Sequence, residues 1–245
     1  MMNLTIIGHR GAAGLVAENT IPSFIAALDL GCQTLELDVH QVNGSAGFRL
    51  AVIHDEELIR TTGMAGQVND YSADTLNQID AGGASIPMLD QVCDAVRAWA
   101  QAHQADPASI CINIELKGRN TALTVHEFIQ NEPSIKFIVS SFDHEELSKF
   151  RDLDKFTRIG LLYHRWHNDW QALAERLQAY SVNLSVRITT AKRVRAIQQA
   201  GYEVWVYTVN RPEEAERLAE MGVSAIFSDR PDLMLAQASG HRRLN

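Results

Sequence analysis

The chain has 245 residues, 46% of them hydrophobic and 21% charged, which is enough apolar content to bury a sizeable core and excludes a disordered chain. The formal net charge of -8, with no Lys/Arg-rich run to offset it, excludes the electrostatic footprint of a protein that binds nucleic acid or an anionic membrane surface. A phosphate-bearing substrate would have to be drawn in by local positive charge.

Residues 4–8 read as a short aliphatic strand, followed by His9, Arg10 and the small residues Gly11 to Gly14, which let the backbone approach a ligand closely. No leader pattern precedes this strand and no later run approaches a membrane span, so a cytoplasmic protein without stable membrane association is expected. Glu18, Asn19 and Thr20 come next, then a helix over 22–30 that stops at Gly31. Cys32, Cys93 and Cys111 are odd in number and widely spaced in apolar settings, which suits buried thiols and disfavours a disulfide frame or a cysteine metal site.

The chemistry concentrates in residues 35–55. Leu35, Leu37 and Val39 alternate with Glu36, Asp38 and His40, a period of two that puts the polar side chains on one face of a strand. A turn around Asn43 to Gly47 lies midway between Asp38 and His54, so a hairpin closed there brings His54 level with the two carboxylates. The bland alternative is a solvated amphipathic hairpin. His40 continues the carboxylate face and is expected at a solvated position.

After Asp55 the pattern loosens into an insertion over about 57–86, with Ser72 able to cap a short helix through Ile79 and Gly82 and Gly83 marking a loop. Val92, Val96 and Trp99 mark a helix over 89–102, and the strand over 111–117 sets Asn113, Glu115 and Lys117 opposite Ile112, Ile114 and Leu116. Helices near 121–130, 144–152, 169–179, 190–200 and 212–221 then alternate with strands near 136–141, 158–163, 181–185, 203–209 and 224–228. Capping boxes are expected from Asp143 to Glu146 and from Asn210 to Glu213.

Counting the arm over 51–54 as an accessory hairpin strand leaves eight strand-helix units, which close as one (β/α)8 TIM-type barrel domain over 1–245, with the insertion following strand two and its hairpin arm. The rival, a doubly wound open sheet, needs a Gly-x-Gly-x-x-Gly loop after strand one that the chain lacks. In such a barrel the active site lies at the carboxyl ends of the strands, where His9, Arg10, Glu36, Asp38, Glu115, Lys117, Tyr207 and Asn210 fall. Three carboxylates about 4 Å apart repel by roughly 4 kcal/mol per pair at an effective dielectric near 20, so they should hold a proton or a cation, and all-oxygen ligation favours Mg²⁺ or Ca²⁺ over Zn²⁺. His9 and His54 could serve phosphodiester hydrolysis, one taking the proton of the attacking oxygen and one protonating the leaving alkoxide. Arg10 and Lys117 could stabilise phosphoryl charge. Each has a plainer reading: a structural histidine, a Lys117–Glu115 ion pair, Tyr207 as core lining.

The ordered motifs Ile7 to Gly11, Ala17 to Thr20, Glu36 to Val39, Ile53 to Asp55, Arg60 to Thr62, Ile86 to Leu89, Ile114 to Lys117, Ser140 to Phe142, Tyr207 to Asn210 and Ser228 to Pro231 resemble those of the glycerophosphodiester phosphodiesterases. The resemblance spans nearly the whole chain and departs from the family pattern at Ala17, usually proline, and at Tyr207, usually tryptophan. It implies one divalent cation on Glu36, Asp38 and Glu115, His9 and His54 as the acid/base pair, and Arg10, Lys117 and Tyr207 at the substrate. The implied reaction is hydrolysis of a small-molecule glycerophosphodiester to an alcohol and sn-glycerol 3-phosphate. The rival functions are a related lipid phosphodiesterase of the phospholipase C or lysophospholipase D type, and a silent phosphate-binding barrel, which should have lost one of the five ligand or histidine residues and has lost none. Trp166, His167 and Trp170 are open between a wall for a choline-like cation and the packed start of a helix. Neighbouring charges suggest His9 as the base, beside Arg10, and His54 as the acid, beside Asp55 and Asp38.

Overall fold

A computed structural model describes residues 4–240. Among the described residues nine strands are formed: β1 (Thr5–Gly8), β2 (Thr34–Gly44), β3 (Gly47–Val52), β4 (Cys111–Lys117), β5 (Lys136–Ser141), β6 (Arg158–Tyr163), β7 (Ser181–Ser185), β8 (Glu203–Tyr207) and β9 (Ala225–Ser228). Eight of them pair in parallel in the order β1, β9, β8, β7, β6, β5, β4, β2, and β2 pairs again with β1, so the sheet closes on itself. The remaining strand, β3, lies antiparallel on β2 with Val39 opposite Val52 and Gly44 opposite Gly47. This is the eight-strand barrel with an accessory hairpin arm that the strand spacing predicts.

The alternation of residue types decides which way each strand faces. On β2, Leu35, Leu37 and Val39 are wholly buried in the main core with the surrounding helices, leaving Glu36 and Asp38 to face the barrel interior. Full burial of each such aliphatic side chain stabilises the fold by roughly 1.5–3 kcal/mol. A second apolar cluster, Ile7, Ile138, Trp205, Ala225 and Phe227, fills part of the interior. A third joins β3 to the insertion through Ile53, Leu58, Val68, Leu76 and Ile86, so the insertion packs on a small core of its own.

Two local readings differ from expectation. Asp143 does cap its helix, accepting from the backbone N–H of Glu145 and Glu146, but the Glu146 side chain does not complete the box and accepts instead from the Ala122 N–H at 3.0 Å, and Asn210 caps nothing. The helix Pro212–Glu220 starts instead on a proline, whose fixed φ suits the first turn, and the Asn210 amide is drawn across to Asp229 at 2.7 Å. His40 is 5% exposed, not solvated, because the hairpin folds it under the chain at His54, whose carbonyl lies 3.1 Å from His40 Nε2. Burial holds its pKa below the ordinary value.

Gly11 fixes how the loop after β1 sits on the helix Ile21–Leu30. Its φ is +85°, and a Cβ there would stand 2.5 Å from the Ser23 backbone carbon. Gly11→Ala is expected to destabilise the protein by about 2 kcal/mol or more, read as a fall of at least about 4 °C in the unfolding midpoint. An unchanged midpoint would show that the loop relaxes without strain.

Candidate active site

At the carboxyl ends of the strands a cavity of about 260 Å³ opens. One wall carries charge, from His9, Arg10, Glu36, His54 and Glu115. The other is aromatic and aliphatic, from Phe142, Leu162, Tyr207 and Phe227, with Asn113 and Ser140 between. Asp38 and Lys117 are not part of the cavity wall; Asp38 is fully buried.

The parallel register of β2 and β4 sets Asp38 opposite Glu115 and Glu36 opposite Asn113, which is why three carboxylates from two strands meet. One oxygen from each of Glu36, Asp38 and Glu115 lies within 4.8 Å of the others. Burial pushes Glu36 well above the usual carboxylate range, and the facing Asp38 and Glu115 add to it. Glu115 is raised by burial and by Asp38, against the pull of Lys117. Asp38 lies below the usual range, since Lys117, Arg10 and His54 outweigh its burial. Two cations, Arg10 and Lys117, face three carboxylates, and Asp38 Oδ1 and Glu115 Oε1, both buried, have only Lys117 Nζ near them among the described residues. A compact, all-oxygen, under-neutralised donor set fits a hard divalent cation.

The surrounding chain holds the trio in place. Arg10 adopts a left-handed backbone, φ 51°, that aims its N–H at Glu36 Oε2, 3.0 Å away, while its side-chain Nε lies 3.2 Å from Asp38 Oδ2. Asn19, also left-handed at φ 55°, donates its amide to Asp38 Oδ2 at 2.9 Å. Lys117 Nζ stands 2.5 Å from Glu115 and 3.4 Å from Asp38, so the ion-pair reading of this residue is met by the geometry, and a phosphate contact would be additional to it.

Both histidines reach the cavity, each with a carboxylate behind it. His9 Nδ1 lies 2.6 Å from Asp229 Oδ1, and its Nε2 is 4.0 Å from Glu36. His54 Nδ1 lies 2.5 Å from Asp55 Oδ1, and the hairpin does bring this residue alongside Asp38, whose carbonyl accepts the N–H of Ile53 at 3.1 Å. A carboxylate on Nδ1 fixes the ring and leaves Nε2 for chemistry. The electrostatic ground for His54 as the acid is weakened, because burial outweighs Asp38 and Asp55 and holds its pKa below the ordinary value. Tyr207 lines the cavity edge-on to Phe142 at 5.6 Å, its hydroxyl buried without a hydrogen bond among the described residues.

Sequence reasoning gave no role to Asp229 or Glu18 and saw Arg60 only as part of a motif. The available signal for Asp229 was closure itself, since in a barrel the last strand borders the first, and β9 pairs with β1. Arg60 links the insertion to the site: its fork donates to Asp55 and, at 2.8 Å twice, to Glu18, which also accepts from Arg10 at 2.9 Å. No residue of the insertion lines the cavity, so its influence on the site runs through this guanidinium. Arg60→Met is expected to lower kcat/KM about tenfold, with Arg60→Lys only partly restoring it because one ammonium cannot span two carboxylates. Steady-state kinetics decide; full activity in Arg60→Met would make the link merely structural. Of the two readings left open for Trp166 and Trp170, the packed one is met: Trp170 is 6% exposed in the core, and Arg193 lies over the Trp166 ring at 4.8 Å.

A closed parallel barrel that gathers buried carboxylates and two carboxylate-backed imidazoles at one mouth has the parts of a hydrolase for a charged ester. Comparison with known proteins agrees: residues 9–233 match the Glycerophosphoryl diester phosphodiesterase family. The glycerophosphodiester phosphodiesterase of Caldanaerobacter subterraneus subsp. tengcongensis is 30% identical over 96% of this chain and 97% of its own. That of Bacillus altitudinis is 31% identical over 93% and 95%. Among solved structures, an Oleispira antarctica phosphodiesterase in complex with the product sn-glycerol-3-phosphate superposes with a TM-score of 0.86 over 96% of each chain at 24% identity. The Agrobacterium tumefaciens glycerophosphodiester phosphodiesterase does so at 0.77, over 95% of this chain and 99% of its own, at 26% identity. The chain belongs to the glycerophosphodiester phosphodiesterase family, and is a phosphoric diester hydrolase.

Proposed function

We propose that the protein hydrolyses glycerophosphodiesters to an alcohol and sn-glycerol 3-phosphate with one bound divalent cation, Mg²⁺ or Ca²⁺, held by Glu36, Asp38 and Glu115. The observation that carries this reading is the meeting, on one 260 Å³ cavity, of the buried carboxylate trio with His9 and His54. The cation, when bound, supplies Lewis-acid stabilisation of the phosphoryl oxygens.

The chain's own residues do the rest. Arg10 and Lys117 neutralise charge on the diester, and Tyr207 with Phe142 packs against its carbon skeleton. One imidazole accepts the proton of the attacking oxygen as that oxygen bonds to phosphorus. The other donates a proton to the alcohol oxygen as its bond to phosphorus breaks, so water is added in the net reaction. Asp229 and Asp55 hold the two rings in register for these transfers.

A second reading rests on human lysophospholipase D, 30% identical over 121 residues that cover 48% of this chain. Among the described residues no helix is long and apolar enough to cross a membrane. Release of the free headgroup alcohol from deacylated diesters and from lysophospholipids, measured side by side, separates the two: turnover of the lysophospholipids alone would replace the proposal.

A further inference from the structure

Hydrolysis of this kind releases an alcohol, and one side of the cavity mouth is charged unlike the rest. His164 stands against Phe142 of the aromatic wall, ring centroids 5.6 Å apart, and is exposed to solvent. It opens the loop after β6, which continues through Arg165, Trp166 and His167. The neighbouring loop, after β7, is the short turn Val186–Ile188, with Arg187 at its centre. Arg193 clasps the two loops together. Its guanidinium covers the Trp166 ring at 4.8 Å, and its Nη1 donates to the Ile188 carbonyl at 2.5 Å. Arg165 and Arg187 each adjoin a clasped residue, so both are carried on abutting loops at the end of the barrel where the active site opens.

Charge balance distinguishes these two arginines from the cations of the catalytic wall. Arg10, Arg60 and Lys117, over β1 to β4, each pair with carboxylates of the site, while Arg119, in the loop after β4, is exposed. Arg165 and Arg187 are exposed, and neither guanidinium has an ion-pair or hydrogen-bond partner among the described residues. On this side Asp143 caps its helix, and Glu145, in the first turn of that helix, and Asp169 are the acids set against Arg165, Arg187 and Arg193, with His164 beside them. In a chain of net charge -8, such a patch beside the cavity attracts anions selectively. The tryptophan face that could have received a quaternary ammonium is already occupied by Arg193.

Resting on the hydrolysis proposed above, we infer that the leaving alcohol bears negative charge of its own, as a carboxylate or phosphate, and that Arg165 and Arg187 recognise it. The test compares the glycerol 3-phosphate diesters of 3-hydroxypropanoate, propanol and choline, scored by glycerol 3-phosphate release at low and high salt. The hydroxypropanoate diester is expected to exceed the propanol diester about tenfold in kcat/KM at low salt, and the choline diester by more, with the advantage shrinking as salt screens the exposed charges. The ammonium makes choline the better leaving group, so such a preference is not a leaving-group effect. An Arg165→Gln, Arg187→Gln double variant should lose the preference while hydrolysing the propanol diester as the parent does. Equal rates on the three diesters, a preference for choline, or a preference that survives in the double variant would each overturn the inference. Release from none of them would instead overturn the proposed reaction, and this inference with it.

Discussion

His9→Ala and His54→Ala are each expected to lose about a hundred- to ten-thousand-fold in kcat/KM on an alkyl glycerophosphodiester, with the fold unchanged by circular dichroism. The magnitude follows from the role: each ring is fixed through Nδ1 by its own carboxylate, at 2.6 Å for Asp229 and 2.5 Å for Asp55, and neither is replaceable by water at the same geometry. The leaving group separates their roles. An aryl diester expels a weakly basic oxygen and needs little protonation, so it should rescue the variant lacking the acid and leave the variant lacking the base inactive. Because burial holds His54 below its ordinary pKa, that ring is suited to accept a proton, and rescue is expected for His9→Ala. Rescue of His54→Ala alone would return the roles to those suggested by the sequence neighbours Arg10 and Asp55. Full activity in both variants would overturn the acid/base scheme.

Glu115→Ala is expected to weaken divalent-cation binding by more than the roughly 10- to 100-fold that loss of a supporting residue costs, measured by titration calorimetry, and to abolish turnover. The same site gives the metal-free protein a distinctive pH response. Glu36 and Glu115 are raised in the folded state, Glu115 to about 7, above an ordinary value of 4.5. Between those values the folded protein binds more protons than the unfolded one, so this contribution to stability is full below about 4.5 and is lost as pH rises through 7. The unfolding midpoint of metal-free protein should therefore fall across this window relative to Glu115→Gln, and saturating Mg²⁺ or Ca²⁺ should remove the difference. A calorimetric affinity unchanged in Glu115→Ala would take that residue out of the site.

The barrel was legible because its strands announce themselves by spacing and by the alternation seen in Leu35 to His40 and Ile112 to Lys117. The carboxylate trio was legible for the same reason: a period of two assigns Glu36, Asp38 and Glu115 to inward positions without any knowledge of their neighbours. His40 shares that period yet ended buried beneath His54, since the fate of a residue past the barrel rim depends on the chain that folds over it. Asp229, Glu18 and Arg60 act through contacts 220, 8 and 42 positions apart, to His9, Arg10 and Glu18 respectively, and nothing in local pattern encodes such pairings. Asn210 was misread as a cap because Asn-x-x-Glu fits the capping pattern, while Pro212 and the reach to Asp229 decided otherwise. Tryptophans 166 and 170 were equally open to a ligand or to packing until Arg193 and the core were seen to occupy them.

The most direct measurement is an enzyme-coupled assay of sn-glycerol 3-phosphate released from a glycerophosphodiester, run on metal-free protein and again with Mg²⁺ or Ca²⁺ restored. Turnover that is absent in chelator, returns with the cation and is lost in Glu115→Ala is the predicted result. Undiminished release from protein verified to be free of metal would contradict it.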